Sequence, residues 1–188
     1  PSGYIGDVLI EDERVALITF TGSGSVGWGI RERAPRKRVN LELGNATPVI
    51  VEADADVEDA AGRCAANAFS FAGQSCISVQ RIFVQETVYD RFRDAFLPRV
   101  EALVVGDPAE EDTDVGPLIS AGERERVLAW VDEARRRGAT ILAGGTLDSE
   151  LVRPTVVENP PADTHLACDE AFGPVKDRWL LRNGTGLA

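Results

Sequence analysis

The chain holds no methionine and a single histidine, His165, among its 188 residues. Without a start residue it is expected to be a piece of a longer chain. One histidine argues against a His-based metal site, so no metal is expected, and any Cys–His or Ser–His pair depends on that one residue. Cysteine is scarce too: Cys64, Cys76 and Cys168 are odd in number and widely spaced. That pattern excludes a disulfide framework and suits a reducing, cytoplasmic setting. No apolar run approaches the roughly 20 residues of a membrane helix. The first residues lack the basic, apolar, small-residue order of a signal peptide. Repeats and low-complexity runs are missing as well.

What is present describes a globular protein, with 44% apolar and 27% charged residues. The net charge of −11 repels phosphate backbones and anionic lipids, so neither nucleic acid nor membrane is an expected partner. Solubility alone is sufficient reason for that charge.

Hydrophobic patterning predicts an α/β fold. VALITF, 15–20, reads as a buried strand, Gly22 to Ser25 as a turn, Val26 to Ala34 as a short helix and RVNLEL, 38–43, as a second strand. Together these make a βαβ unit and favour a parallel sheet. PVIVEA predicts a strand, and Asp56 the cap of a helix running to Gly73. RIFV, 81–84, predicts another strand, and 87–104 a helix containing Pro98. GDPAEEDTDVGPLI is an acidic loop, after which Ser120 opens a helix with Val127, Leu128, Val131 and Ala134 on one face. TILAGG and RPTVVE predict two further strands. KDRWLLRNGTGLA, after Val175, shows no periodicity and receives no assignment.

Two stretches bear on chemistry. ITFTGSGSVGWGI, 18–30, contains G-x-G-x-x-G at Gly22, Gly24 and Gly27, with Glu42 twenty residues after the first glycine. Either this is a dinucleotide fingerprint with Glu42 on a ribose, or Glu42, at a strand end, is free to take a proton from water. FAGQSCIS puts Cys76 just past a small-residue helix, beside Gly73 and Ser75. A thiol near glycine can be approached closely, and backbone N–H groups of such a turn can hold an oxyanion. An isolated cysteine is more often a small buried hydrophobe, the reading kept for Cys64 and Cys168.

The motifs ITFTGS, NLELGN, FAGQSC and DEAFGPV occur here in the order found in the aldehyde dehydrogenase superfamily, which residues 15–175 resemble. GDPAEEDTDVGPLIS and the later Gly-Gly before a strand fit as well. The resemblance implies a three-layer α/β/α catalytic domain with a mostly parallel sheet, plus a partial Rossmann-like βαβ unit. It divides the chain into a cofactor-domain portion, 1–43, a catalytic thiol domain, 44–175, and an atypical tail, 176–188. On this resemblance the glycine fingerprint is incidental. Gly22 and Ser23 become contacts for the pyrophosphate of NAD or NADP, Thr21 lies near the nicotinamide, Val26 near the adenine, and Leu43 joins the cofactor set. Glu170 resembles the acid on the nicotinamide-side ribose, with Phe172 packing nearby.

Cys76 resembles the nucleophile and Glu42 the general base. The implied reaction is oxidation of an aldehyde to a carboxylic acid through a thioester on Cys76. A glutamate at 42 favours hydrolysis over acyl transfer to coenzyme A.

The sequence departs from the family in three places. Asn45 stands where a second glycine is usual. The oxyanion asparagine and the lysine for the adenine-side ribose are expected before residue 1, since Asn40, Asn45 and Asn67 match neither. The stretch after Val175 does not read like the family. Weak or no cofactor binding by the isolated chain, its inactivity in isolation, and homo-oligomerisation through sheet edges follow as expectations. GQSCISVQR resembles a bacterial branch acting on small polar or anionic aldehydes. The alternatives are a catalytically dead structural fragment of the family, or a thiol hydrolase using Cys76 and His165.

Overall fold

The computed structural model describes residues 2–46 and 48–181. The chain divides into two compact units, Pro1–Asn45 and Ala46–Ala188.

In the first unit, helix α1 (Ser2–Glu11) precedes strand β1 (Leu17–Gly22), helix α2 (Gly24–Arg33) and strand β2 (Arg38–Leu43). β1 and β2 pair in parallel, as the βαβ pattern predicts. β1 runs two residues later than predicted, because Thr21 and Gly22 stay in register with Glu42 and Leu43. Gly22 therefore ends the strand from inside it. Among the described residues of this unit, Ile10, Ile30 and Ala34 form a buried apolar cluster, with Ile18, Phe20 and Val39 packed against it.

The second unit is built on a five-stranded sheet. Its strands are β3 (Pro48–Val51), β4 (Arg81–Gln85), β5 (Thr140–Ala143), β8 (Thr155–Glu158) and β9 (Val175–Leu181), in the order β3-β4-β9-β8-β5. All neighbours are parallel except β5 and β8. A two-stranded ribbon, β6 (Leu147–Asp148) and β7 (Leu151–Val152), lies apart from the sheet. Helices α3 (Val57–Phe69) and α4 (Tyr89–Glu101) pack together in one apolar cluster with Val51, Ile82, Val84 and Val156. Helices α5 (Ala121–Arg136) and α6 (His165–Cys168) form a second cluster with Val157 and Val175. Val156 and Val157 are consecutive on β8, so their side chains leave opposite faces of the sheet. The two clusters therefore lie on opposite faces, and the fold is the expected three-layer α/β/α arrangement with a mostly parallel sheet.

Local chemistry explains most boundaries. The Asp56 carboxylate accepts from the Glu58 and Asp59 amides at the start of α3. Ser120 does the same for Glu123 at α5. α3 stops at Phe69, short of the predicted Gly73. The chain then makes a 3-10 turn, Ser70–Gly73, with Phe71, Ala72 and Gly73 all at positive φ. The largest difference from the sequence pattern is β9, which makes the central strand from residues that carry no periodic signal. The remainder of that tail, 182–188, lies outside the described residues.

Candidate active site

In the first unit, parallel pairing brings the cofactor candidates to one edge. Thr21 sits opposite Glu42 and Gly22 opposite Leu43, at the carboxyl ends of β1 and β2. α2 begins two residues beyond β1, so its amino end lies at the same edge. Ser23 is the N-cap residue, yet its side chain makes no cap hydrogen bond; its Oγ lies 3.2 Å from Ser25 Oγ. The first intrahelical bond runs from the Gly27 amide to the Ser23 carbonyl at 3.0 Å. The amides of Gly24, Ser25 and Val26 precede that ladder and point out of the helix end, an arrangement that suits an anion. Val26, half exposed, borders a mainly apolar cavity of about 490 Å³ with Leu9, Ile10, Ile18, Phe20 and Ile30. An adenine-sized ring fits the chemistry of that cavity, and a pyrophosphate fits the helix end. The Glu42 side chain is exposed.

In the second unit, two loops meet at the amino ends of neighbouring strands. The Cys76 loop leads into β4, the Glu170 loop leads into β9, and Arg81 pairs with Asp177. Cys76 is exposed. Its loop turns tightly, with the Ser78 amide donating to the Ser75 carbonyl at 3.0 Å. Gln74 fastens the loop on one side, its Oε1 accepting from the Ile119 amide at 2.9 Å. On the other side Gly73, at φ +68°, abuts the second loop so closely that a Cβ there would lie 2.1 Å from the Gly173 carbonyl oxygen. Only glycine fits both that angle and that gap.

The second loop is held at Ala171. Its amide donates to Gln80 Oε1 at 3.3 Å, and its carbonyl accepts from Arg126 at 2.9 Å. Glu170 is half-buried, and Phe172 is exposed at positive φ. Phe71 and Phe172 are bulky residues in the left-handed region, where strain persists only if the surroundings impose it. Both border a cleft of about 890 Å³ with Gln74, Pro117 and Ile119.

The three thiols differ in environment. Cys64 is buried in α3, and burial pushes its pKa up to about 11, so it stays protonated and inert. Cys168 was expected to be buried; it is exposed, and its thiol donates to the Ala162 carbonyl at 3.1 Å. His165 is engaged by α5: its Nδ1 lies 2.8 Å from Glu133 Oε2 and its ring stacks on Trp130. The contact holds the Glu133 carboxyl below its ordinary range. Among the described residues, no group of His, Cys, Asp and Glu is arranged to hold a metal ion, and no helix is long and apolar enough to cross a membrane.

Residues 2–177 match the family model for the aldehyde dehydrogenase family. The chain belongs to that family. It is 45% identical to 3-sulfolactaldehyde dehydrogenase of Priestia aryabhattai over 90% of its own length and 36% of that relative's. It is 42% identical to lactaldehyde dehydrogenase of Methanocaldococcus jannaschii, covering 91% of this chain and 37% of the other. Among solved structures, glyceraldehyde-3-phosphate dehydrogenase from Methanocaldococcus jannaschii, complexed with NADP, superposes with a TM-score of 0.91 at 40% identity. That match covers 95% of this chain and 39% of the other. The chain thus spans well under half the length of these aldehyde dehydrogenases.

Sequence reasoning missed four residues that build the thiol loop: Gln74, Ser78, Gln80 and Lys176. Gln74 and Ser78 flank Cys76 and could have been suspected from position alone. Lys176 had no signal, because the hydroxyl that accepts from its amine, Ser78, lies 98 positions earlier in the chain, and its nearer acceptor is a backbone carbonyl, that of Gly173, which no side-chain pattern announces.

Proposed function

We propose that this chain carries the thiol centre and part of the cofactor site of an NAD(P)+-dependent aldehyde dehydrogenase. The observation that carries this reading is the exposed Cys76 thiol, on a loop packed backbone to backbone against the Glu170 loop. Family membership supports the same roles for both residues. The residues present fit a dinucleotide: the uncapped amino end of α2 suits the pyrophosphate, Val26 the adenine, and Glu170 a ribose.

In the proposed mechanism the Cys76 thiolate attacks the aldehyde carbonyl carbon, and the developing oxyanion accepts from backbone N–H groups of the thiol loop. When bound, the nicotinamide supplies the acceptor for the hydride leaving that carbon. The acyl group then remains on Cys76 as a thioester. Glu42, as general base, takes a proton from water, whose oxygen adds to the thioester carbon; the carboxylic acid departs and the thiolate returns.

A small polar or anionic aldehyde is the proposed substrate class, supported by relatives named for 3-sulfolactaldehyde and lactaldehyde. A homo-oligomer in the cytoplasm completes the proposal; three cysteines, odd in number and widely spaced along the sequence, support the compartment.

The test is to supply NAD+ or NADP+ with such aldehydes and follow absorbance of the reduced nicotinamide. Turnover should fall by roughly 10³-fold or more in Cys76→Ser, the scale of losing a covalent nucleophile. Turnover that survives the substitution overturns the assignment. The assay is made on the full-length enzyme that contains these residues, since the 188-residue chain alone is expected to be inactive; a full-length preparation that never turns over, although Cys76 alkylates readily, is a family member that has lost catalysis.

A further inference from the structure

We propose that Lys176 is a positioning residue, clamping the Cys76 loop to the Glu170 loop. This deepens the proposed function and rests on its reading that both loops serve one reaction.

The Lys176 side chain is 1% exposed on the central strand β9, although it opens a stretch with no apolar periodicity. Its Nζ donates to Ser78 Oγ at 2.9 Å and to the Gly173 carbonyl at 3.2 Å. The Ser78 hydroxyl spends its single proton on the Ala68 carbonyl at 2.9 Å, so towards Nζ it can only accept. One amine therefore joins three segments: the end of α3, the thiol loop two residues after Cys76, and the second loop three residues after Glu170. Its Nζ also lies 3.0 Å from where a Gly73 Cβ would stand, inside the seam where the loops touch.

Stability does not require a cation here. Buried charges are often replaced by well-packed apolar residues without loss. Val156, the register partner of Lys176 on β8, shows what a purely space-filling choice on this face looks like. What the amine provides, and a methyl group does not, is a directed pair of donors across the seam. Burial holds its pKa down to about 7, against the pull of the Asp177 and Glu170 carboxylates.

Amide hydrogen exchange on the full 188-residue chain tests this. Lys176→Met fills a similar volume and lacks the donors. Exchange in 73–79 and in 171–175 should quicken together by about tenfold or more, while α5 stays unchanged and the melting temperature holds or rises. Unchanged exchange in both loops overturns the proposal, since filling space would then be all Lys176 does. Equal quickening throughout the chain also overturns it. Should the Met variant not fold, Ser78→Ala decides: it removes one arm of the clamp, so 73–79 should quicken and 171–175 should not; no change in 73–79 overturns the proposal. The readout needs no turnover. Exchange that responds as expected, in a protein whose aldehyde oxidation survives Cys76→Ser, keeps the clamp and discards the reaction it was thought to serve.

Discussion

The two units gather their candidate residues at opposite ends of parallel strands. In Pro1–Asn45 they lie at the carboxyl ends of β1 and β2, beside a helix amino end. In Ala46–Ala188 they lie at the amino ends of β4 and β9, on two loops that touch. The first arrangement is local: strand, helix and strand, consecutive from Leu17 to Leu43, fix it. The second is long-range, because Gly73 needs Gly173 and Ser78 needs Lys176. A locally fixed edge should tolerate change, and a seam assembled from distant segments should not.

Two glycine substitutions put that contrast under the greatest strain. Gly73→Ala forces a side chain onto φ +68° and into the Gly173 carbonyl, which is backbone and cannot swing aside. The loss should be about 3 kcal/mol or more, read from the urea midpoint. Gly22→Ala also brings a Cβ to 2.6 Å, but from the tip of the Phe20 ring, which can rotate away. Its cost should stay near 1 kcal/mol. Equal losses would abolish the distinction between the two edges.

The same contrast explains what could be read in advance. β2 was legible to the residue, because RVNLEL alternates and is bounded by glycine. The Asp56 and Ser120 caps were legible because capping is a contact within three residues. Helix α3 was extended too far because nothing local in SFAG announces a left-handed run; the run ends at Gly73, where the backbone of Gly173 leaves no room for a side chain. The helix expected over 87–104 begins at Tyr89, after a short 3-10 turn that Gln85 caps, and ends at Glu101. α1 received no expectation, and β9 defeated the pattern altogether: Val175, Lys176 and Asp177 are all buried, so its start shows no alternation, and its buried lysine argues against a core strand until Ser78 and Gly173 are in view. Of the candidate site, Cys76 and the residues at the carboxyl ends of β1 and β2 came from motif resemblance; the groups that hold the thiol loop in place did not.

A smaller and slower-building difference is the response to pH. Lys176 titrates near 7 in the folded chain and at its ordinary 10.5 when unfolded. Between those values the unfolded chain binds the extra proton, so stability rises with pH, by up to about 1.4 kcal/mol per unit. Below about 7 both states are protonated and the penalty is at its full size; above 10.5 it vanishes. Urea unfolding of the wild-type chain should therefore show stability climbing from pH 7 to 9. Lys176→Met should remove most of that slope and gain most at pH 6 to 7. A wild-type slope that survives in the variant would assign it to other groups. The first unit has no buried cation among its described residues, so Arg33→Met there should leave the slope in place.

The smallest expected effect separates two helix starts. Asp56 accepts from two amides of α3, and Asp56→Ala should cost about 1 kcal/mol. Ser23 caps α2 without accepting from it, and Ser23→Ala should stay within about 0.5 kcal/mol. If the Ser23 hydroxyl does not occupy the first amides of α2, an anion can. Inorganic pyrophosphate titrated into labelled protein should then shift the Gly24, Ser25 and Val26 amide resonances, and leave Glu58 and Asp59, already satisfied by Asp56, where they were. Shifts at both helices, or at neither, would mean that the open cap of α2 is an accident of sequence rather than a place made for a phosphate.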